Sequence, residues 1–327
     1  MEQHTPQWLL DQIQVYIRQI PYYRSPERLY DPIQYVLGMG GKRLRPVLML
    51  LAYNMYKEDV SDALSQAAAI ETYHNFTLLH DDLMDKADMR RGKPTVHKKW
   101  NENMAILSGD AMLILAYQFM VKNCPAQYME EVMSVFTQAA LEVCEGQQWD
   151  MDFEHMDNVT VEQYMEMIRL KTSVLLACAL KIGAILGGAP KEDAQMLYDF
   201  GIKIGLAFQL QDDYLDVYGD PKVFGKNIGG DILCNKKTFM LLTALQRADE
   251  ATRSSLHTWI KMENYLPDEK IKAVTDIYNK VEVQEICRNK ILAYYKEGME
   301  LLDKVGVESS LKENLASYVR ELMDRNL

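Results

Sequence analysis

Residues 74–91, HNFTLLHDDLMDKADMRR, decide the reading of this chain. They close a long periodic run in which Ala67, Ile70, His74, Leu78, Asp81 and Asp85 follow steps of three and four, the period of one helix face. A helix over about 61–87 is expected, with an apolar floor and an acidic rim. Carboxylates four apart on a helix point the same way. Asp81 and Asp85 therefore form a claw, with Asp82 rotated off it. Arg90 and Arg91 follow, and Gly92 and Pro94 break the helix.

A second acidic helix ends in FQLQDDYLDVYGD, residues 208–220. Gly201, Gly205, Gln209, Asp212 and Asp216 recur at steps of four and three, small below and acidic above, with Asp213 beside Asp212. Two claws with lysines and arginines nearby suggest Mg²⁺ ions held between carboxylates and a polyphosphate, since Mg²⁺ prefers hard oxygen ligands. One such claw alone is as readily a solvated helix face. Asp220-Pro221 stops this helix, and GDPKVFGKNIGGD (219–231), with Lys222 and Lys226, reads as a mobile lid. Lys236 and Lys237 are expected to open the next helix.

Upstream, GGKRLRP (40–46) puts Lys42, Arg43 and Arg45 within a turn of a helix start. Free N–H groups and the helix dipole there favour an anion; a solvated basic cap is the plain alternative. Thr5-Pro6 starts the first helix, and Pro21 ends it. Further helices are expected near 27–38, 104–122, 126–151, 160–187 and 191–218, with more to the end of the chain. GQQWD (146–150) brings Gln147 and Asp150 to the end of one of them. Lys171-Thr172 sits amid apolar neighbours, where a lysine either snorkels or lines a pocket. His97, without a second histidine at ligand spacing, reads as structural. No strand-like alternation, repeat or domain boundary is apparent. The expectation is one all-α domain over 1–327.

The 327 residues are 48% apolar and 25% charged, ordinary for a folded chain. A net charge of −11 argues against nucleic acid or anionic membrane as a main partner. The five cysteines are scattered without metal-ligand spacing, as expected of a reducing cytoplasm. No secretory signal opens the chain. Its longest apolar runs, such as AMLILAYQFMV (111–121), fall short of the ~18 residues of a membrane span.

GGKRLRP, HDDLMDKADMRRGKPTVH, GQQWD, KT and FQLQDDYLDVYGDPKVFGKNIGGD together resemble the trans-isoprenyl diphosphate synthases, the polyprenyl synthetase family, in order and spacing from about residue 38 to 240. The resemblance implies a single orthogonal bundle of long helices around a deep central cavity, the isoprenoid synthase type I fold, usually homodimeric. It implies that Lys42, Arg45, His74 and Arg91 bind the diphosphate of isopentenyl diphosphate. Asp81 and Asp85 match ligands of two Mg²⁺ ions on an allylic diphosphate. Asp212 matches the ligand of a third, with Asp216 in support. Arg90, Lys171, Lys226 and Lys236 match residues gripping the allylic diphosphate, and Asp82 and Asp213 are counted on the substrate-binding side. Thr172 and Gln209 match groups that stabilise a carbocation. Ionisation, attack by the isopentenyl double bond and proton loss follow, with released diphosphate as the base.

Below Asp81 on the same helix, Phe76 sits roughly 7.5 Å down and Tyr73 roughly 12 Å down at ~1.5 Å per residue. Bulk there, in a packed helix interface, argues for short products. With Thr77 beside Phe76 and no insertion in the claw, the pattern favours C20 geranylgeranyl over C15 farnesyl diphosphate. Plain helix packing is the alternative for Phe76 and Tyr73. A terpene cyclase usually replaces the second claw with a mixed Asn/Ser/Glu site, and a regulatory subunit is expected to have lost aspartates or lysines. Neither change is present.

Overall fold

A computed structural model describes residues 3–22, 24–220 and 228–324. Lys226, and Lys222 with it, lie outside the described residues, as does residue range 221–227 of the expected lid. The all-α expectation is borne out: the structure is 78% helical with almost no strand.

The chain forms two compact units. The first comprises Met1–Thr137, Cys178–Leu197 and Val305–Leu315. It opens with α1 (Pro6–Gln19), whose first turn is closed by the Thr5 hydroxyl accepting from the Trp8 N–H with proline at the first helical position. α2 (Glu27–Leu37) and α3 (Leu44–Asn54) follow. α3 is buried all round from Pro46 to Asn54, as a core helix is. A 3₁₀ turn, Val60–Ala63, leads into α4 (Leu64–Met84), so the expected 61–87 helix begins in a tighter turn and ends before Asp85. α4 packs most extensively on α6 (Glu102–Val121). Side chains of α4 finish the end of α6. Gln66 Nε2 donates to the Met120 and Lys122 carbonyls at 3.1 and 2.8 Å, and Ser65 Oγ to Phe119 O at 2.8 Å. These satisfy carbonyls that the helix itself leaves open.

Between α4 and α6 the chain makes a two-residue antiparallel ladder, β1 (Met89–Arg90) with β2 (Lys93–Pro94), then the short α5 (Val96–Lys99). No strand was expected here. Arg91 and Gly92 link it at φ 51° and 72°, the positive pair that a two-residue type I′ hairpin loop requires.

The second unit comprises Gln138–Ala177, Tyr198–Lys304 and Ala316–Leu327. Thr137 and Gln138 lie inside α7 (Ala126–His155). α8 (Val161–Ile168) begins with a reciprocal capping box between Thr160 and Gln163. The rod then passes through a π-helical turn, Arg169–Ser173, into α9 (Val174–Gly187). α10 (Lys191–Tyr218) carries the second acidic cluster. Beyond it lie α11 (Gly230–Leu233), α12 (Phe239–Arg247), α13 (Glu250–Lys261), α14 (Pro267–Lys280), α15 (Val283–Lys304) and α16 (Ser309–Met323). Lys236 and Lys237 precede α12 rather than open it; Thr238 is its N-cap.

The uninterrupted apolar runs are shorter than a membrane span, but two of the helices that hold them are not. Both Glu102–Val121 and the continuous rod Val161–Gly187 are long and apolar enough by length and composition. The Val161–Gly187 window is 83% buried, a core helix, whereas Glu102–Val121 is 39% buried. Leu107 and Ile114 on α6 are 60% and 61% exposed, with Ile106 and Val121 also exposed. None of the five cysteines, all among the described residues, is in a disulfide.

Candidate active site

In the first unit, Gly40 and Gly41 at φ 80° and 125° swing the chain into α3. Arg43 follows in the left-handed region and turns inward. Its guanidinium donates to Glu71 Oε1 and to Leu37 O, each at 2.5 Å, and Asn75 Nδ2 donates to the same Glu71 oxygen at 2.7 Å. The middle cation of GGKRLRP is therefore a buried structural charge, paired and hydrogen-bonded as burial requires. Lys42 stays exposed, and Arg45 points toward α4.

Arg45 Nη1 and His74 Nε2 are 3.0 Å apart. The Arg45 Nε is buried with no hydrogen-bond partner. Burial pulls Arg45 down to about 10, with Glu71 opposing. Burial also holds His74 well below the usual histidine range, and Arg45, Arg91, Arg90 and Arg43 add to this. His74 is thus a neutral ring among guanidinium groups. The Arg91 side chain donates to the Gly40 carbonyl. A Cβ on Gly41 would lie 2.8 Å from that guanidinium. Burial lowers Arg91 as well. Among the described residues neither Arg45 nor Arg91 has a carboxylate at ion-pair distance. An orphaned buried donor amid uncompensated cations is an environment that suits an anion.

At the end of α4 the three aspartates separate. Asp81 is half-buried and Asp85, the C-cap residue, is exposed. Asp82 is 6% exposed, and Arg90 Nε reaches its two oxygens at 2.8 and 2.7 Å. Arg90 Nη2 stands 3.8 Å from Asp81. The I′ hairpin makes this possible by folding Arg90 back over the helix end. Lower on α4, Tyr73 is fully buried and meets Phe76 and Phe136 edge-on at 5.5 Å each. Tyr117 of α6 extends the row from Phe136 at 5.0 Å, and Phe76 meets His80 at 4.9 Å. Phe76 and Thr77 are half-buried, with Thr77 Oγ1 bonded to His74 O at 2.8 Å.

The second unit repeats the acidic pattern. Asp212 and Asp216 are half-buried while Asp213 is 3% exposed. Asp216 Oδ2 accepts from the Asp231 N–H at 3.0 Å, tying α10 to the start of α11. Asp213 accepts from the Tyr164 hydroxyl and, at 3.2 Å, from Gln209 Nε2. Burial, reinforced by Asp231, pushes Asp213 up to about 7 against these donors and Lys236. Thr172 Oγ1 donates to Gln209 Oε1 at 3.1 Å. Lys171 Nζ meets Asp150 Oδ2 at 2.6 Å, which ties the KT pair to GQQWD. Lys237 Nζ donates to the Phe153 and Glu154 carbonyls at 2.5 and 3.2 Å, at the end of α7. Lys236 is exposed.

Each unit thus joins its own subset of the expected residues: Arg45, His74, Arg90, Arg91, Asp81 and Asp82 in one; Lys171, Thr172, Gln209, Asp213 and Asp216 in the other. Sequence reasoning missed Tyr164, Asp231 and the role of Glu71. Tyr164 lies 49 residues from its aspartate, so no local spacing signals it. Among the described residues no group of three metal-ligating side chains is assembled. Paired, accessible carboxylates are nonetheless a donor set that suits Mg²⁺, which commonly draws its remaining ligands from water and substrate phosphate.

The family model for polyprenyl synthetase matches residues 26–279. The short chain isoprenyl diphosphate synthase of Methanothermobacter thermautotrophicus is 39% identical over 302 residues, 92% of this chain and 91% of that protein. The geranylgeranyl diphosphate synthase of Methanosarcina mazei is 39% identical over 298 residues, 90% of each chain. A crystal structure of a geranylgeranyl pyrophosphate synthase superposes with a TM-score of 0.94 at 42% identity, covering 99% of this chain and 100% of that one. The chain therefore belongs to the polyprenyl synthetase family and is a trans-prenyltransferase that makes short-chain prenyl diphosphates.

Proposed function

We propose that the enzyme condenses isopentenyl diphosphate with dimethylallyl, geranyl and farnesyl diphosphates to an all-trans C20 product, with Mg²⁺ at the claws. The observation that carries this reading is the half-buried Arg45–His74 pair with its buried, orphaned Nε. It lies on the same helix as the accessible Asp81, roughly 10 Å away at ~1.5 Å per residue. An anion site beside a metal claw suits two diphosphates in one reaction.

Lys42, Arg45, His74 and Arg91 hold the diphosphate of isopentenyl diphosphate. Neutral His74 donates one ring N–H without adding a titrating charge. Asp81, Asp85, Asp212 and Asp216 would hold Mg²⁺, three ions in the family pattern; when bound, these neutralise the leaving diphosphate. Lys171, Lys236, Lys226 and Arg90 add to that neutralisation. Lys171 and Arg90 are held ready by Asp150 and Asp82. The allylic C–O bond breaks and leaves a cation that Thr172 and Gln209 face. The isopentenyl double bond attacks that carbon, and the departing diphosphate takes the proton lost from the adduct. Apolar walls exclude water from the cation.

Product length is set where Phe76 and Thr77 cross the prenyl path, with Tyr73 behind. The aromatic row from Phe76 to Tyr117 supports a stiff floor, because each ring is backed by another. The full chain acts as one catalytic domain in the cytoplasm, consistent with five cysteines in no disulfide. It pairs as a homodimer through the α6 face bearing Leu107, Ile114 and Val121, whose spacing of seven gives one apolar stripe. Chain-length analysis of Phe76→Ala tests the floor: a longer product supports it, and unchanged length removes it.

A further inference from the structure

Asp213 is the pivot of a one-way hydrogen-bond chain. Both its oxygens accept, from Tyr164 and from Gln209 Nε2 at 3.2 Å. Gln209 turns its NH₂ end toward Asp213, whose two oxygens both serve as acceptors here. The other end of that amide is then an acceptor, and Thr172 Oγ1 donates to it at 3.1 Å. A threonine hydroxyl has one hydrogen. With that hydrogen committed to Gln209, only lone pairs remain on its outward side. Had the amide been reversed, its NH₂ would occupy those lone pairs and release the hydroxyl hydrogen.

The backbone beneath Thr172 is fixed as firmly as its hydrogen. Thr172 lies in the π-helical turn Arg169–Ser173, a rare conformation that recurs at functional sites. Two glycines grip this turn. A Cβ on Gly146 would stand 2.3 Å from Lys171 N, and one on Gly205 2.6 Å from Ser173 Cα. Tyr164, fully packed at 1% exposure, sits on α8 just ahead of the turn and reaches across to α10.

We propose that Tyr164 and Asp213 are positioning residues for prenyl transfer, setting the amide direction of Gln209 so that Thr172 presents lone pairs to the developing allylic cation. The inference rests on the function proposed above. Preorganised dipoles aimed at developing charge lower a barrier without reorganisation at the moment of reaction.

The test is a kinetic cycle in full-length protein with isopentenyl and geranyl diphosphates and Mg²⁺. Tyr164→Phe is expected to lower kcat about 10-fold, less than the ~10²–10³ typical of deleting a direct stabilising group. KM for both substrates is expected to change less than about 2-fold. In a Gln209→Ala background, with no amide left to orient, the same substitution is expected to cost less than about 2-fold in kcat. An equal loss in both backgrounds, a change carried by KM, or no loss at all overturns the proposal. A second arm covers the case in which Tyr164→Phe does not fold. Asp213→Asn reverses the donor and is expected to lower kcat by a similar factor. Adding Gln209→Glu restores an acceptor for Thr172 and is expected to recover activity at least about 3-fold over Asp213→Asn alone. Failure to recover overturns the proposal. A wild-type enzyme that forms no prenyl product instead overturns the underlying functional reading.

Discussion

Arg90 Nε lies 2.8 and 2.7 Å from the two carboxylate oxygens of Asp82, while Arg90 Nη2 reaches within 3.8 Å of Asp81. One guanidinium thus neutralises the buried aspartate and leans toward the accessible one. Removing it strands a carboxylate that is 6% exposed. Breaking a fully buried pair costs ~3–5 kcal/mol; with Arg90 29% exposed at its side chain, about 1–3 kcal/mol is expected for Arg90→Ala. Urea unfolding checks this. Asp81→Asn, by contrast, is expected to leave stability within about 0.5 kcal/mol and to lower kcat about 10²-fold or more. A large stability loss from Asp81→Asn would assign it a structural role.

His74 gives a pH signature. Its imidazole is held well below the ordinary value, chiefly by burial and then by Arg45. The unfolded chain takes up a proton near pH 6.5 that the folded chain refuses. Stability from this residue is therefore complete above that pH and is lost as pH falls through it. Unfolding free energies measured at about pH 7.5, 6.5 and 5.5 should decline more steeply for wild type than for His74→Gln. Parallel curves contradict a neutral His74. In kinetics, His74→Ala should raise KM for isopentenyl diphosphate more than for the allylic substrate.

The two floor residues should behave differently. Phe76 is half-buried and Tyr73 is fully buried between Phe76 and Phe136. Phe76→Ala is expected to lengthen the product with modest loss of stability. Tyr73→Ala is expected to cost about 3–5 kcal/mol, the range for deleting a packed aromatic. The double change should lengthen the product further than Phe76→Ala alone. Radio-TLC or mass spectrometry reads length, and thermal unfolding reads the cavity.

The α6 stripe carries the assembly prediction. Leu107 and Ile114 are each about three-fifths exposed, and large exposed apolar patches mark interaction surfaces. The double substitution Leu107→Glu and Ile114→Glu should shift sedimentation from dimer to monomer. A wild-type monomer, or a double variant that remains dimeric, contradicts this assignment.

Much of the site was legible because helical spacing is local. Asp81 and Asp85, and Asp212 and Asp216, share faces by arithmetic. His74 falls on the same stripe as Asp81, and the structure brings it to Arg45. What spacing could not show was direction and partnership. Arg43 and Arg45 look alike in GGKRLRP, yet the left-handed backbone at Arg43 turns it to Glu71. The I′ hairpin at Arg91–Gly92 was hidden because positive φ at an arginine has no strong residue signature. The π turn under Lys171 and Thr172 was hidden because it is made by close approach of Gly146 and Gly205, distant in sequence. The lengths of the apolar helices were legible too: 104–122 and 160–187 were expected, and Glu102–Val121 and Val161–Gly187 are found.

The central claim is tested most directly by product analysis. The purified enzyme is incubated with isopentenyl diphosphate, Mg²⁺ and each of dimethylallyl, geranyl and farnesyl diphosphate, and the products are sized by mass spectrometry. The account predicts that all three starters converge on an all-trans C20 diphosphate, with one diphosphate released per condensation, and that chelation of the metal abolishes turnover. A cyclised hydrocarbon, or no elongation from any starter, contradicts it.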